Sequence, residues 1–118
     1  MHQPSLALVV LKTWNPERLK EFYECLGMRF RVERHGDGPA HFAAEIGQTV
    51  LEIYPLPQSD GKSDCSTRLG FRVHEPEPVM HALSAAGAPV VTPTTKTPWG
   101  FRTVVRDPDG RAVELYWD

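Results

Sequence analysis

The sequence predicts an α+β fold in which a βαβββ unit occurs twice. Two amphipathic helical patterns each follow an apolar strand-like run, three further strand-like runs follow each helix, and one polar segment separates the two series. A unit of this size cannot close its own sheet. We therefore expect the two copies to pair into a curved, cup-shaped, eight-stranded mixed sheet, with helices on its convex face and a concave face free for a ligand.

The length of the chain predicts one domain. With 118 residues, of which 41% are hydrophobic, the chain is long enough for one core and too short for two ordinary domains. The order of the elements divides this domain, 1–118, into a first module at 5–56, a polar linker at 57–66 and a second module at 67–118.

The first module begins with a Leu- and Val-rich strand at 5–12. Asn15 and Pro16 then supply an N-cap and a proline at the first helical position, which predicts a helix over 16–26. Gly27 is placed to end this helix in a left-handed conformation. The runs "MRFRVERH", "HFAAEI" and "TVLEIYPL" follow, separated by turn-forming residues, and are typical of an antiparallel meander.

The second module repeats this order. It starts with the strand "RLGFRV", continues with a helix that Glu75 and Pro76 open and Gly87 ends, and closes with the strands "PVVTPT", "FRTVVR" and "RAVELYW". The Pro- and Thr-rich stretch 92–101 is expected to be a connection whose exposed Trp99 closes over a pocket mouth. Packing of Trp99 against the neighbouring module or a dimer partner is equally open.

Charge, hydropathy and cysteine usage exclude several classes of protein. A net charge of −2 without any Lys/Arg cluster gives no basic field for nucleic acid. The longest apolar run near the start, "LALVVL", is far shorter than a membrane span, so we expect no membrane partner. Cys25 and Cys65 lack the spacing of a zinc site or a disulfide framework, which favours free thiols and a cytoplasmic location.

Three stretches, "FYECLGM", "VLEIYP" and "RDPDGRAVELYW", resemble the vicinal oxygen chelate superfamily, which includes glyoxalase I, bleomycin-resistance proteins, fosfomycin-resistance enzymes and extradiol dioxygenases. The resemblance covers essentially the whole chain. It implies a cup that binds a small molecule, association of two chains as a homodimer and, in metal-dependent members, a divalent ion (Ni, Zn, Mn or Fe) held by four strand positions.

Two of these four positions match. Glu52 and Glu114 stand where the family's glutamate ligands stand, so the resemblance implies that they are metal ligands and catalytic residues. The other two positions depart from the pattern. Ser5 or Leu6 stands where the family has His or Gln, and Arg68 stands where it has His. The implied metal site is therefore incomplete.

Strand alternation places Glu52, Glu114 and Arg68 on the face opposite their apolar neighbours, toward the cup. A guanidinium cannot coordinate a metal but can bind carboxylates through fork-like hydrogen bonds. We therefore interpret Arg68 as a cation between the two acids. Three interpretations stay open: an Arg-centred ligand or ion-pair site, a solvated surface without a specific function, and a true divalent-metal site.

Further side chains are candidates for the cup. Tyr54 and Tyr116 share strand faces with the two glutamates, so together with Arg68 and Trp99 they are the predicted ligand-binding residues. His2 precedes the first strand and could complete a metal site. His35 and His41 bracket a hairpin and, with Glu45, are expected to form a surface cross-strand cluster, the alternative being that they complete the metal site.

Three functions are consistent with this constellation. Because two ligand positions are missing, the favoured hypothesis is a glyoxalase/bleomycin-resistance-like protein that binds a small molecule in the cup. One alternative is a metal-dependent enzyme, either a lactoylglutathione lyase-like lyase/isomerase or a dioxygenase-like member, using Glu52 and Glu114. The other is a metal-free enzyme with a glutamate base and Arg68 as an anion anchor.

Overall fold

A computed structural model describes residues 2–57 and 61–118; residues 58–60 of the predicted linker lie outside the described residues. The chain forms eight strands and two helices in the predicted order. Their bounds are β1 Leu8–Thr13, α1 Pro16–Glu24, β2 Arg31–Glu33, β3 His41–Ile46, β4 Thr49–Pro55, β5 Leu69–Arg72, α2 Pro76–Ala85, β6 Val90–Thr97, β7 Gly100–Arg106 and β8 Ala112–Trp117. No described helix is long and apolar enough to cross a membrane.

The two halves of the chain have the same topology. Hydrogen bonds arrange the strands as two four-stranded sheets, in the orders β1-β4-β3-β2 and β5-β8-β7-β6. In each sheet the first strand runs parallel to the last one, and the remaining pairs are antiparallel. The predicted fold class, an α+β duplication of a βαβββ module with mixed sheets and two helices, is confirmed, and the eight strands are hydrogen-bonded as two four-stranded sheets.

Helix α1 begins where the sequence predicts. The side chain of Asn15 accepts a hydrogen bond from the backbone N–H of Arg18 at 3.2 Å, and Pro16 occupies the first turn. Residues 25–27 form a turn rather than helix, and Gly27 at φ +98° provides the left-handed residue that ends it. Helix α2 likewise begins at Pro76, although the side chain of Glu75 makes no capping hydrogen bond.

The helices bury their apolar stripes against one face of the strands, as predicted. The fully buried core contains residues from both helices and from both last strands, while Leu69 and Phe71 are partly buried against it. Because neighbouring residues of a strand point to opposite faces, this register directs Glu52 and Glu114 away from the helices. The buried members that carry this argument are Leu19, Phe22, Val79, Leu83, Leu51, Val113 and Leu115.

The segment 92–101 is not the long connection that we expected. Strand β6 extends to Thr97 and β7 begins at Gly100, so only two residues form the turn between them. Pro93 fits within β6 because β6 is an edge strand with shifts in its register. At Gly100, φ is +121° and a Cβ would lie 2.5 Å from the carbonyl oxygen of Trp117, so this tight turn requires glycine.

A buried network around the turn "RDPDGR" joins the two modules. The hydroxyl of Tyr23 on α1 donates to Asp107 at 2.8 Å, and Thr13 donates to Asp109 at 3.0 Å. The guanidinium of Arg111, itself 1% exposed, lies 3.1 Å from Asp107 and 3.0 Å from Asp109. Burial, and then the charge of Asp107, raise the pKa of Tyr23 well above its usual value. The aspartates of this turn therefore hold the first module against the second.

Candidate functional site

Two polar clusters lie on the sheet faces opposite the helices, one in each module. The Glu114 cluster consists of Arg68, Arg102, Glu114 and Tyr116. Arg102 on β7 reaches one carboxylate oxygen of Glu114, with Nε at 2.9 Å and Nη2 at 2.8 Å, and the hydroxyl of Tyr116 donates to the same oxygen at 2.6 Å. Arg68, just before β5, donates to the other oxygen. Both oxygens of Glu114 are therefore engaged.

The surroundings of Glu114 favour its ionised form. The hydrogen bond from Tyr116, followed by those from Arg102 and Arg68, holds the pKa of Glu114 below its usual range despite partial burial. Two guanidiniums share this one carboxylate, so the cluster carries a net positive charge. These residues do not fit a divalent ion at the position that the family uses, because an ion would meet two cations and would have to displace them from its ligand.

The His41 cluster lies in the first module and consists of Glu33, His35, His41 and Glu52. Each residue offers one ligand atom, and the four atoms lie within 4.8 Å of one another. Three adjacent strands carry Glu33, His41 and Glu52. Glu33 on β2 pairs with His41 on β3, and Ala43, two residues further along β3, pairs with Glu52 on β4. Residues two apart in a strand share a face, so all three side chains point to the same side of the sheet.

His41 is the centre of this cluster. Its side chain is 0% exposed, and its ring stacks on Tyr54 with the centroids 4.1 Å apart and the planes 10° apart. The Nε2 atom lies 3.4 Å from an oxygen of Glu33 and 3.4 Å from an oxygen of Glu52. Neither contact qualifies as a hydrogen bond, so within the described residues this buried nitrogen has no hydrogen-bond partner.

Glu33 is held from its other side. Arg31 donates from Nε to one oxygen of Glu33 at 2.6 Å, while the second oxygen faces His35 at 3.6 Å and His41. The hydrogen bond from Arg31 lowers the pKa of Glu33, which is therefore a carboxylate at neutral pH. His35 is 72% exposed and lies at the rim of the cluster.

The structure divides the site residues that the sequence predicts between these two clusters. Glu114, Arg68 and Tyr116 come together as expected, but Glu52 and Tyr54 belong to the His41 cluster. Arg68 forms its ion pair with Glu114, and in the described part of the chain no ion pair within 4.0 Å joins it to Glu52. Arg68 therefore does not bridge the two acids within one chain.

The remaining candidates lie outside both clusters. Trp99 is 84% exposed at the tip of the β6–β7 turn, so its role in ligand binding stays a prediction. His2 is exposed and is not a member of the His41 cluster. Both cysteines are free, and burial raises the pKa of Cys25.

Sequence reasoning missed two members of the site and misplaced a third. The expectation of a surface cluster of His35, His41 and Glu45 is wrong for His41, which is fully buried, and Glu45 instead lies 3.8 Å from Arg31. Glu33 and Arg102 were not predicted at all. The pairing of β2 with β3 and of β7 with β8 provides the signal that finds them, since Glu33 lies opposite His41 and Arg102 lies opposite Tyr116.

Neither of two cavities in the chain is lined by a member of these clusters. A cavity of about 390 Å³ lies beside the ends of both helices and includes Arg18 and Cys25. A smaller cavity of about 190 Å³ includes Val9, Leu51 and Phe71. Both cavities therefore lie apart from the two polar clusters.

Comparisons with known proteins agree with this architecture. The family model of the Glyoxalase/Bleomycin resistance protein/Dioxygenase superfamily matches residues 5–115. TnmS3, an antibiotic binding protein from Streptomyces sp. CB03234, is 22% identical, with 99% of this chain and 98% of that chain covered and a TM-score of 0.75. A glyoxalase/bleomycin resistance protein from the same organism is 24% identical, with 95% and 99% covered and a TM-score of 0.71.

A third solved structure, the oxidase ChaP-H2, is 16% identical, with 99% of this chain and 95% of that chain covered and a TM-score of 0.78. No curated protein matches the sequence significantly. The fold and the paired glutamates on the sheet faces define a vicinal-oxygen-chelate-type protein. The chain belongs to the Glyoxalase/Bleomycin resistance protein/Dioxygenase superfamily.

Proposed function

We propose that this protein binds a small aromatic compound with an anionic group, and that the Glu114 cluster holds the anion. The observation that carries the proposal is the state of Glu114, which occupies a ligand position of the family but is engaged by two arginines and a tyrosine. A guanidinium that is fixed on one carboxylate still has free N–H groups that can bind a second anion.

Apolar surface on the face of Glu52 suits the rest of such a compound. Leu8 and Val10 of β1 are 51% and 40% exposed, and Val10 pairs with Glu52, so both side chains share the face of Glu52. Exposed aliphatic residues near convergent polar groups are typical of sites for amphipathic ligands. The similarity to a protein described as antibiotic binding is in line with sequestration rather than turnover.

A homodimer is part of this proposal. Among the described strands, β1 has a hydrogen-bonding neighbour on one side only, and Leu6 and Leu8 beside that free edge are exposed. An apolar edge strand of this kind is normally covered. A second copy of the chain placed over the open sheet faces would convert them into enclosed sites, with Trp99 available at their rim.

A fluorescent probe, 8-anilinonaphthalene-1-sulfonate, tests the binding proposal because it is aromatic and anionic. We expect saturable binding to the native protein and at least about tenfold weaker binding by Arg68→Gln, since the mutation removes one charged hydrogen-bond donor. The matched variant Arg18→Gln removes an arginine beside the helix-side cavity instead. Weaker binding by Arg18→Gln together with unchanged binding by Arg68→Gln would contradict the proposal.

Light scattering tests the dimer separately. We expect a mass of twice the 13.3 kDa of the chain at micromolar concentration. A mass equal to that of one chain would reject the dimer while leaving the ligand proposal to the probe experiment.

A further inference from the structure

We infer that the His41 cluster is a divalent-metal site of the Zn²⁺ type, with Glu33, His35, His41 and Glu52 as its ligands. This site shares Glu52 with the position that the family uses but takes its other ligands from β2, β3 and the residues after β2. It does not depend on Glu114, on the first strand or on the position of Arg68, and it goes beyond the proposed ligand binding.

The spacing of the ligand atoms matches the size of such an ion. Four donors at 2.0–2.1 Å from a tetrahedral zinc ion lie about 3.3 Å from one another. In the cluster, the contacts of His41 with Glu33 and Glu52 are 3.4 Å each, and that of His35 with Glu33 is 3.6 Å. All four ligand atoms lie within 4.8 Å of one another, so only small side-chain shifts separate this arrangement from a coordinated ion.

The buried nitrogen of His41 points to an ion independently of this spacing. Its other nitrogen, Nδ1, lies 3.4 Å from the carbonyl oxygen of Pro39, which can only accept a hydrogen bond. When Nδ1 carries the hydrogen, Nε2 presents its lone pair to two carboxylates, and this arrangement is repulsive without a cation between them. A histidine that donates one N–H to a carbonyl while the other nitrogen binds metal is the usual pattern in metal sites.

The charge and chemistry of the donors select the class of ion. Two carboxylates and two neutral imidazoles give a charge of −2, which a divalent cation neutralises. Imidazole nitrogens favour Zn²⁺ and Ni²⁺ over Mg²⁺ and Ca²⁺, which prefer oxygen ligands. The ion pair of Arg31 with Glu33 and the stacking of Tyr54 on His41 orient two of the ligands from outside the cluster.

Calorimetric titration of the purified, chelator-treated protein with Zn²⁺ alone tests this inference. We expect one ion per chain, and at least about tenfold weaker binding by each of His35→Gln, Glu33→Gln and Glu52→Gln. Circular dichroism establishes that each variant is folded. His35 is exposed, so its variant keeps the test available even if the buried positions tolerate no change.

Two control variants locate the ion. Glu45→Gln removes an exposed carboxylate from β3, the strand that carries His41, and should leave Zn²⁺ binding unchanged. Glu114→Gln should also leave it unchanged, because Glu114 belongs to the other cluster. The inference is overturned if the native protein binds no Zn²⁺, or if Glu114→Gln abolishes binding while His35→Gln preserves it.

Discussion

Glu52 and Glu114 occupy the same position in the two modules, on the last strand and opposite a residue of the first strand, but their neighbours differ. Glu52 pairs with Val10 and faces a buried histidine and a second carboxylate, whereas Glu114 pairs with Gly70 and is held by two arginines. The surroundings of Glu52 attract a cation, whereas the surroundings of Glu114 already contain two, Arg68 and Arg102. The residues on adjacent strands, rather than the glutamate itself, therefore decide the chemistry of each position.

This difference explains why one duplicated fold can hold two unlike sites. The turn "RDPDGR" and the first helix keep the modules together through contacts that involve neither cluster. The residues on the polar faces can then vary without disturbing the core.

The largest expected effect tests whether both clusters depend on one folded unit. Asp107→Ala leaves the buried guanidinium of Arg111 without its main partner and removes the acceptor of Tyr23. We expect a loss of about 3–5 kcal/mol in the free energy of unfolding, measured with urea. Asp118→Asn is the control, because that side chain is 95% exposed. A loss below about 1 kcal/mol for Asp107→Ala would show that the modules are joined in another way.

The two glutamates should respond differently to the same substitution in metal-free protein. Glu114→Gln leaves two guanidiniums without a carboxylate, so we expect a loss of about 1 kcal/mol in the free energy of unfolding. Glu52→Gln removes one of two carboxylates around His41, so we expect unchanged or slightly higher stability. Urea denaturation of both variants measures the difference, and equal losses would remove the distinction between the two positions.

The pH dependence of stability sharpens the comparison for Glu114. Its pKa is lower in the folded chain than the value of about 4.3 for an unfolded glutamate. The stabilisation is therefore complete above that value and is lost as the pH falls through the folded-state pKa. The difference in unfolding free energy between the native protein and Glu114→Gln should shrink below about pH 4. A constant difference down to pH 2 would contradict this assignment.

The smallest effect is expected when Arg68 is replaced by histidine, the residue that the family has at this position. In a His35→Gln background, Arg68→His should raise the affinity for Zn²⁺ by less than about tenfold, because Arg102 still occupies Glu114 and too few ligands are present. Arg68→His combined with Arg102→Leu should give a larger gain in the same titration. A large gain from Arg68→His alone would mean that Arg102 does not block the position.

The sequence predicted the architecture because local signals agree with one another. Asn15 and Pro16 start the first helix, Gly27 ends it, and the alternation around Glu52 and Glu114 establishes which face each glutamate occupies. The extension of β6 beyond Thr94 to Thr97 was missed because the Pro- and Thr-rich composition of 92–101 is typical of a connection, whereas the pairing of β6 with β7 continues to Thr97.

The clusters were harder to predict because they depend on which strands are neighbours and in which register. Within one strand, His41 and Glu45 share a face, which suggested a surface cluster. The pairing of β3 with β2 and β4 instead gives His41 two carboxylates as neighbours, and stacking on Tyr54 buries it. The sequence could place Arg68 on the correct face of the sheet. Whether Arg68 pairs with Glu114 or with Glu52 depends on how the two modules are arranged.

Anomalous diffraction at the zinc absorption edge, from crystals of the protein grown with Zn²⁺, is the most direct test of the difference between the two positions. We predict one strong peak per chain within about 2.2 Å of His41 Nε2 and of oxygens of Glu33 and Glu52, and none beside Glu114. A peak bound by Glu114, or no peak near His41, would contradict the account.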